Sequence, residues 1–305
     1  MADASPSLSF DTQFRPKTNE PVDIVPGVVR ITAGNGGPYT FTGTNSFVIG
    51  TESVAILDPG PNDPAHRRAL LAAAGPRPIE AILLTHTHLD HSAGARALKA
   101  ETGAPIWFAG RHRLSRPPRL FEVNALAGGC DWTTMPDRTL TDGERFTAGG
   151  IPLVAIATPG HCANHMAFGL EGTDWLLTGD HIMGWNSTLV AVPDGSMADY
   201  LNSLTKVIAL PYRHYLPAHG GPIEYGPAYA RALLAHRQLR NSQIVDAVKG
   251  GARGVGELLD RIYPRLKGTL RFAARLTLKA HIEYLESQGS IRVRRGPLGL
   301  RLSPG

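Results

Sequence analysis

Cys130 and Cys162 are the only cysteines in 305 residues. Two cysteines cannot build a disulfide framework, and they read as ordinary thiols of a protein in a reducing compartment. Long apolar runs are also missing. None approaches the ~20 residues a membrane span needs, so no membrane partner is expected. The opening stretch MADASPSLSFDTQFRPKTNEPVD lacks a basic patch followed by an apolar block, which argues against a signal peptide or a clear transit peptide. A polar, flexible tail over residues 1–21 of a cytoplasmic protein is the expectation.

What is present suffices for a full core. Hydrophobic residues make up 42% and charged residues 19% of the chain, the balance of a globular protein with one large domain and a smaller one. The net charge of +5 is unevenly spread. Residues 1–225 hold 16 Lys and Arg against 21 Asp and Glu, a balance of −5, whereas residues 226–305 hold 15 against 5, a balance of +10. The Gly- and Pro-rich stretch GGPIEYGP marks the change. A first domain over residues 22–225 and a basic domain over residues 226–305 are therefore expected.

Along the first domain, short β-rich runs alternate with helical ones. VDIVPGVVRITA, NSFVIG and SVAILDPG read as strands, and PAHRRALLAAAG as a helix opened by Pro64 and closed by Gly75. IEAILLTH is nearly all apolar, as a strand buried on both faces would be. HSAGARALKAETG reads as a helix closed by Gly103, and MADYLNSLTKVIAL as another. At the end of IEAILLTH, the sequence HTHLDH crowds His86, His88, Asp90 and His91 into six positions. A strand-to-helix loop lets such side chains converge without burying them unpaired. Imidazole and carboxylate suit divalent transition metals. Three further loops, TPGH, LLTGD and LPAHGG, each follow an apolar run and offer His161, Asp180 and His219. A lone histidine at a strand end is ordinarily a polar surface residue, but crowding of this kind has few structural uses. His112, His165, His181 and His214 read more readily as packed or surface histidines, with His165 the one weighed as a leaving-group acid.

Together FTGTNSFVIG, ILDPG, THTHLDH, TPGH, LLTGD and PAHGG resemble the metallo-β-lactamase superfamily of hydrolases. The resemblance implies an α/β fold, an αββα sandwich, with two zinc ions at one edge. By position, His86, His88 and His161 would hold the first ion, Asp90, His91 and His219 the second, and Asp180 would bridge them. Asp58 in ILDPG corresponds to an acid that steadies the ligand loop from behind. Two cations about 3.5–4 Å apart lower the pKa of a shared water, so a metal-bridging hydroxide becomes available at neutral pH. Asp90 is the expected catalytic carboxylate, orienting that hydroxide and taking its proton. Asp180 argues against the β-lactamase type that places a thiolate there.

Beyond the boundary, three helical runs precede SIRVRRGPLGLRL, which reads as two short strands around Gly296-Pro297. Three helices and a hairpin outline a winged helix. AHRQLRNSQI, ELLDRIYP and AHIEYLESQGSI resemble the tail of the beta-lactamase-like protein 2 branch, which includes endoribonucleases. The branch often has an acidic residue where Asn241 stands, and Thr near Gly254. Arg292, Arg294 and Arg295 on the wing, with Arg271 and Arg275 on the third helix, make nucleic-acid contact a candidate role. No aromatic series interleaves them for stacking. The first reading is therefore a phosphodiesterase or endoribonuclease acting on single-stranded RNA. The alternative is a thioester or lactone hydrolase of small molecules, with the winged helix as a structural cap.

Overall fold

A computed structural model of the chain describes residues 8–120, 122–296 and 299–305. β1 (Pro21–Val25) and β2 (Val28–Thr32) form a hairpin, followed by β3 (Asn45–Ile49) and β4 (Val54–Leu57). Helix α1 (Pro64–Ala74) starts where the Asp63 side chain accepts from the Ala65 N–H at 2.8 Å, and stops at Gly75. After β5 (Ile79–Leu83) come α2 (Leu89–Ser92), α3 (Ala95–Thr102) and β6 (Ile106–Phe108). The single helix expected from HSAGARALKAETG is thus two. Gly94 breaks it, because its N–H donates to Gly60 O at 2.9 Å and a Cβ there would lie 2.9 Å from Pro59 O.

A long loop leads to β7 (Arg138–Thr139), which completes a seven-stranded sheet in the order β1-β2-β3-β4-β5-β6-β7. β8 (Arg145–Ala148), β9 (Ile151–Ala157), β10 (Met166–Leu170), β11 (Trp175–Gly179) and β12 (His214–Pro217) form a second sheet, in the order β12-β11-β10-β9-β8. Helix α4 (Met197–Ile208), capped by Ser196, lies between β11 and β12 in sequence.

Three apolar layers explain why the sheets stack. Phe47, Leu57 and Leu83 of the first sheet meet Leu153, Phe168 and Leu177 of the second in the central core. Leu70 and Leu98, from α1 and α3, cover the outer face of the first sheet over Val48, Ile56 and Ile82. Tyr200 and Leu204 of α4 cover the second over Ile156 and Leu176. The result is an αββα sandwich. β4 is buried at every position and reads as a continuous apolar run. Each fully buried Leu or Ile contributes about 1.5–3 kcal/mol relative to exposure.

The tail holds α5 (Gly226–Lys249), α6 (Val255–Ile262), α7 (Gly268–Ser287) and the hairpin of β13 (Ile291–Gly296) and β14 (Gly299–Pro304). Pro297 of the expected turn lies outside the described residues. Ile244, Val248, Leu258, Ile282 and Leu302 give the tail its own core. The first half of α5 belongs elsewhere: Ala230 and Leu233 join the layer under α4, as does Ala280 of α7. Glu283 of α7 also pairs with Arg116 and Arg119 of the β6–β7 loop. The two regions are thus packed together, although their charges differ.

Residues 8–20 differ from the flexible tail expected over residues 1–21. The Phe10 ring stands against Tyr229, Asp11 N–H donates to Gly184 O at 3.3 Å, and Arg30 lies 4.8 Å from the Phe14 ring centre. Apolar anchors spaced through a polar sequence hold this segment to the body. Residues 1–7 of that tail lie outside the described residues.

Candidate metal centre

β5 ends in the loop that carries His86 and His88, and α2 carries Asp90 and His91. His86, His88 and His91 are all buried. Nε2 of His86 lies 3.1 Å from Nδ1 of His88, which in turn lies 2.9 Å from Nε2 of His161. His161 comes from the loop after β9, where Gly160 (φ +140°) passes so close to α4 that a Cβ would lie 2.4 Å from Tyr200 Cα. A second group forms beside the first. His91 Nε2 lies 3.4 Å and His219 Nε2 3.3 Å from Asp90 Oδ2. Asp180 follows β11 and stands between the groups: its Oδ1 is 3.3 Å from His219 Nε2 and 3.6 Å from His91 Nε2, and its Oδ2 is 3.6 Å from His161 Nε2. All seven residues expected as ligands therefore converge.

The remaining ring nitrogens show which way each imidazole faces. His86 Nδ1 meets Thr85 Oγ1 at 2.9 Å, and that hydroxyl donates to Asp58 Oδ2 at 2.7 Å. His161 Nδ1–H donates to Leu189 O at 2.7 Å, His219 Nδ1–H to Gly43 O at 3.2 Å, and His91 Nδ1–H to Asp58 Oδ2 at 3.0 Å. Asp58 itself has φ +48°, a left-handed conformation that aspartate tolerates better than most residues. Its Oδ1 also accepts the Thr85 N–H at 2.7 Å, so one carboxylate steadies both ends of the ligand loop. With one nitrogen tied outward, each ring presents its other lone pair to the centre.

Among the described residues, His91 Nε2, His219 Nε2 and Asp180 Oδ1 are buried without a hydrogen-bond partner. Buried unpaired groups are costly, and their convergence fits cations. His86, His88 and His161 form one group of the right spacing for an ion, and Asp90, His91 and His219 another. Burial and the neighbouring histidines hold His86 well below the usual imidazole range. His161 is lowered to about 4 by burial and by His88, so both rings are neutral donors of lone pairs. Burial alone would raise the carboxyls of Asp90 and Asp180, but the histidines facing them hold both well below the usual range.

The other histidines fall into place around this cluster. His165 Nδ1 meets Thr158 Oγ1 at 2.8 Å while its Nε2 accepts the Asp180 N–H at 3.0 Å, so it holds the bridging position and has no nitrogen to offer a leaving group. His181 packs against the Tyr200 ring, and His214 against Trp175. His112 Nδ1 meets Thr87 Oγ1 at 2.9 Å. One functional acid escaped sequence reasoning: Asp194, fully buried, whose Oδ2 is 2.9 Å from His88 Nε2 and whose Oδ1 is 3.0 Å from His112 Nε2. VPDGS reads as an ordinary turn, and only the fold brings it to His88. Thr188 is a second omission, since its hydroxyl donates to Asp180 O.

A cavity of about 820 Å³ opens over His88, Asp90, His161 and Asp180. Phe10, Met183 and Trp185 line one side, and Leu266, Leu270 and Phe272 of the tail the other, with Arg237 and Arg240 of α5 also on the wall. Among the described residues no helix is long and apolar enough to cross a membrane.

An αββα sandwich with paired His/Asp clusters at the ends of its strands defines a metal-dependent hydrolase. The chain belongs to the metallo-beta-lactamase superfamily, whose family model matches residues 39–219. The lactamase-like protein vrtG of Penicillium aethiopicum is 31% identical over 264 residues, 86% of this chain and 75% of that one. An atrochrysone carboxyl ACP thioesterase of Aspergillus fumigatus is 30% identical over 264 residues, 80% of this chain and 76% of its own. Among solved structures, a metallo-beta-lactamase family protein of Thermus thermophilus has 28% identity and a TM-score of 0.74, covering 92% of this chain and 99% of its own. A beta-lactamase domain protein of Burkholderia ambifaria, at 19% identity, shares the fold across 97% of both chains with a TM-score of 0.79.

Proposed function

We propose that the protein hydrolyses small-molecule thioesters with a pair of zinc ions, lactones being the related second class. The observation that carries this reading is the cavity, a largely apolar space of about 820 Å³ over the ligand cluster, in the size range of small-molecule sites. The thioesterase among the relatives supports it. RNA has less in its favour. Arg292, Arg294 and Arg295 do not line this cavity, Arg295 is paired with Glu286, and Arg271 is paired with Asp260. A backbone-tracking strand needs an open basic groove. In this reading the three helices and hairpin of the tail act as a winged-helix cap whose apolar side chains close the acyl site.

His86, His88 and His161 would hold one ion, Asp90, His91 and His219 the other, and Asp180 would face both. When bound, such ions polarise a carbonyl and lower the pKa of water. The chain's own groups do the rest. Asp90 reaches the cavity and stays ionised, so it accepts a hydrogen bond from the attacking water and aligns it. The tail and the β6–β7 loop wall the cavity beside the cluster. His112, His165, His181 and His214 do not line the cavity, and a thiolate, with a pKa near ~8.5, leaves without a proton from them. Testing zinc-loaded protein in parallel on an acyl thioester, a lactone, a phosphodiester and single-stranded RNA decides the matter. Fastest turnover of the thioester is expected, whereas cleavage of RNA alone would overturn the proposal.

A further inference from the structure

Two arginines of α5, one turn apart, line the same cavity as the ligand cluster. Arg237 is only 3% exposed. One of its Nη groups donates to Thr188 O, and its guanidinium stands 5.2 Å from the Tyr200 ring centre. Arg240 stands 4.2 Å from the Tyr263 ring centre and donates to Gln243 Oε1 at 2.7 Å. These partners are all neutral. Among the described residues, the tail's ion pairs engage Arg271, Arg295 and, from the β6–β7 loop, Arg116 and Arg119, but neither Arg237 nor Arg240, and Nε of each of these two is buried without a hydrogen-bond partner. His236, also on the cavity wall, adds no negative charge; burial and the two arginines push its pKa down to about 4.

Arg237 is buried and Arg240 half-buried, among the described residues neither is paired with a carboxylate, and a guanidinium fork is matched by one. We propose that Arg237 and Arg240 form an anion subsite that binds a carboxylate at the far end of the acyl chain, so that the preferred substrates are acidic, otherwise apolar acyl thioesters. This rests on the thioesterase reading above. Thr188 links the two regions: its hydroxyl donates to the Asp180 backbone O while its carbonyl accepts from Arg237. The depth of Arg237 decides which end of the substrate it meets. A phosphate on a carrier arm must stay near the mouth, whereas an acyl end reaches the buried wall.

The test compares N-acetylcysteamine thioesters that differ only in a terminal carboxylate: adipoyl against 6-oxoheptanoyl, and pimeloyl against 7-oxooctanoyl. None carries a phosphate. The acidic member of one pair should show at least about 10-fold higher kcat/KM, since a hydrogen bond to a charged group is worth that factor or more. In Arg240→Met the ratio should fall towards one, through KM. Arg237→Met also removes the donor to Thr188 O and can unseat His161, so Arg240→Met is the deciding variant. A second readout avoids turnover: calorimetry on zinc-loaded protein should find adipate binding more tightly than hexanoate, with the difference lost in Arg240→Met. Turnover of both members at equal rates, or a preference that survives Arg240→Met, overturns the subsite and leaves the thioesterase reading intact. Adipate and hexanoate binding alike overturns it too. If no thioester is turned over, the parent reading fails, and the calorimetric difference still decides the anion site. An arginine-dependent preference for 4′-phosphopantetheine over pantetheine thioesters of one neutral acyl group would place the anion on the carrier arm and contradict the proposal.

Discussion

Asp194 Oδ2 lies 2.9 Å from Nε2 of His88, across 106 positions of sequence. That contact leaves Nδ1 of His88 pointing at His86 and His161, the opposite choice of nitrogen from the other four imidazoles of the cluster. Carboxylates behind ligating histidines typically account for about 10–100-fold in metal affinity. Asp194→Ala should therefore weaken the first ion by that order, read as competition with a chromophoric chelator, while the second ion is nearly unaffected. Equal weakening of both ions, or of neither, would count against this role.

Among the described residues, Asp180 is the one carboxylate facing both histidine groups. Asp180→Ala should lower bound metal from about two ions per chain and cut turnover by orders of magnitude, with the circular dichroism of the fold retained. Full occupancy and normal turnover in a metal-depleted buffer would remove it from the centre.

Much of this site is legible from local sequence, because HTHLDH, TPGH, LLTGD and LPAHGG each place ligands just past an apolar strand. Helix ends are legible for the same reason: Pro64 and Gly75 bound the first helix through their own backbone, as expected. Other features depend on distant contacts and leave no local trace. Asp194 and Thr188 sit in turn-like stretches, Gly94 breaks a helix only because Pro59 and Gly60 pack against it, and Phe10 reads as tail until it meets Tyr229. The charge of the tail misleads in its own way, since the +10 says nothing of which arginines turn inward.

Gly160 positions His161 by letting the chain pass α4 at backbone distance. An alanine there would place Cβ 2.4 Å from Tyr200 Cα at φ +140°. Gly160→Ala should cost about 2 kcal/mol or more in urea unfolding of the metal-free protein and weaken metal binding. Unchanged stability and affinity would show that the loop has room to move.

His66 links stability to pH. It is fully buried, its Nε2 2.8 Å from Ser46 Oγ and its Nδ1 2.8 Å from Asn19 Oδ1, and burial lowers its pKa to about 4 against the opposing pull of Asp63. The unfolded chain takes up this proton near pH ~6.5, before the folded one does. His66 thus contributes stability above that pH that is lost as pH falls towards about 4, up to about 3 kcal/mol. The difference in Tm between wild type and His66→Gln should therefore narrow between pH 7 and 4. A constant difference would contradict the linkage.

Zinc titrated into metal-free protein, with turnover of an acyl thioester followed at each addition, bears most directly on the paired clusters and the cavity above them. Turnover should be negligible without metal and should level off near two equivalents per chain. Full thioester turnover in the metal-free protein, or a fully loaded protein that leaves every thioester intact, would contradict the assignment.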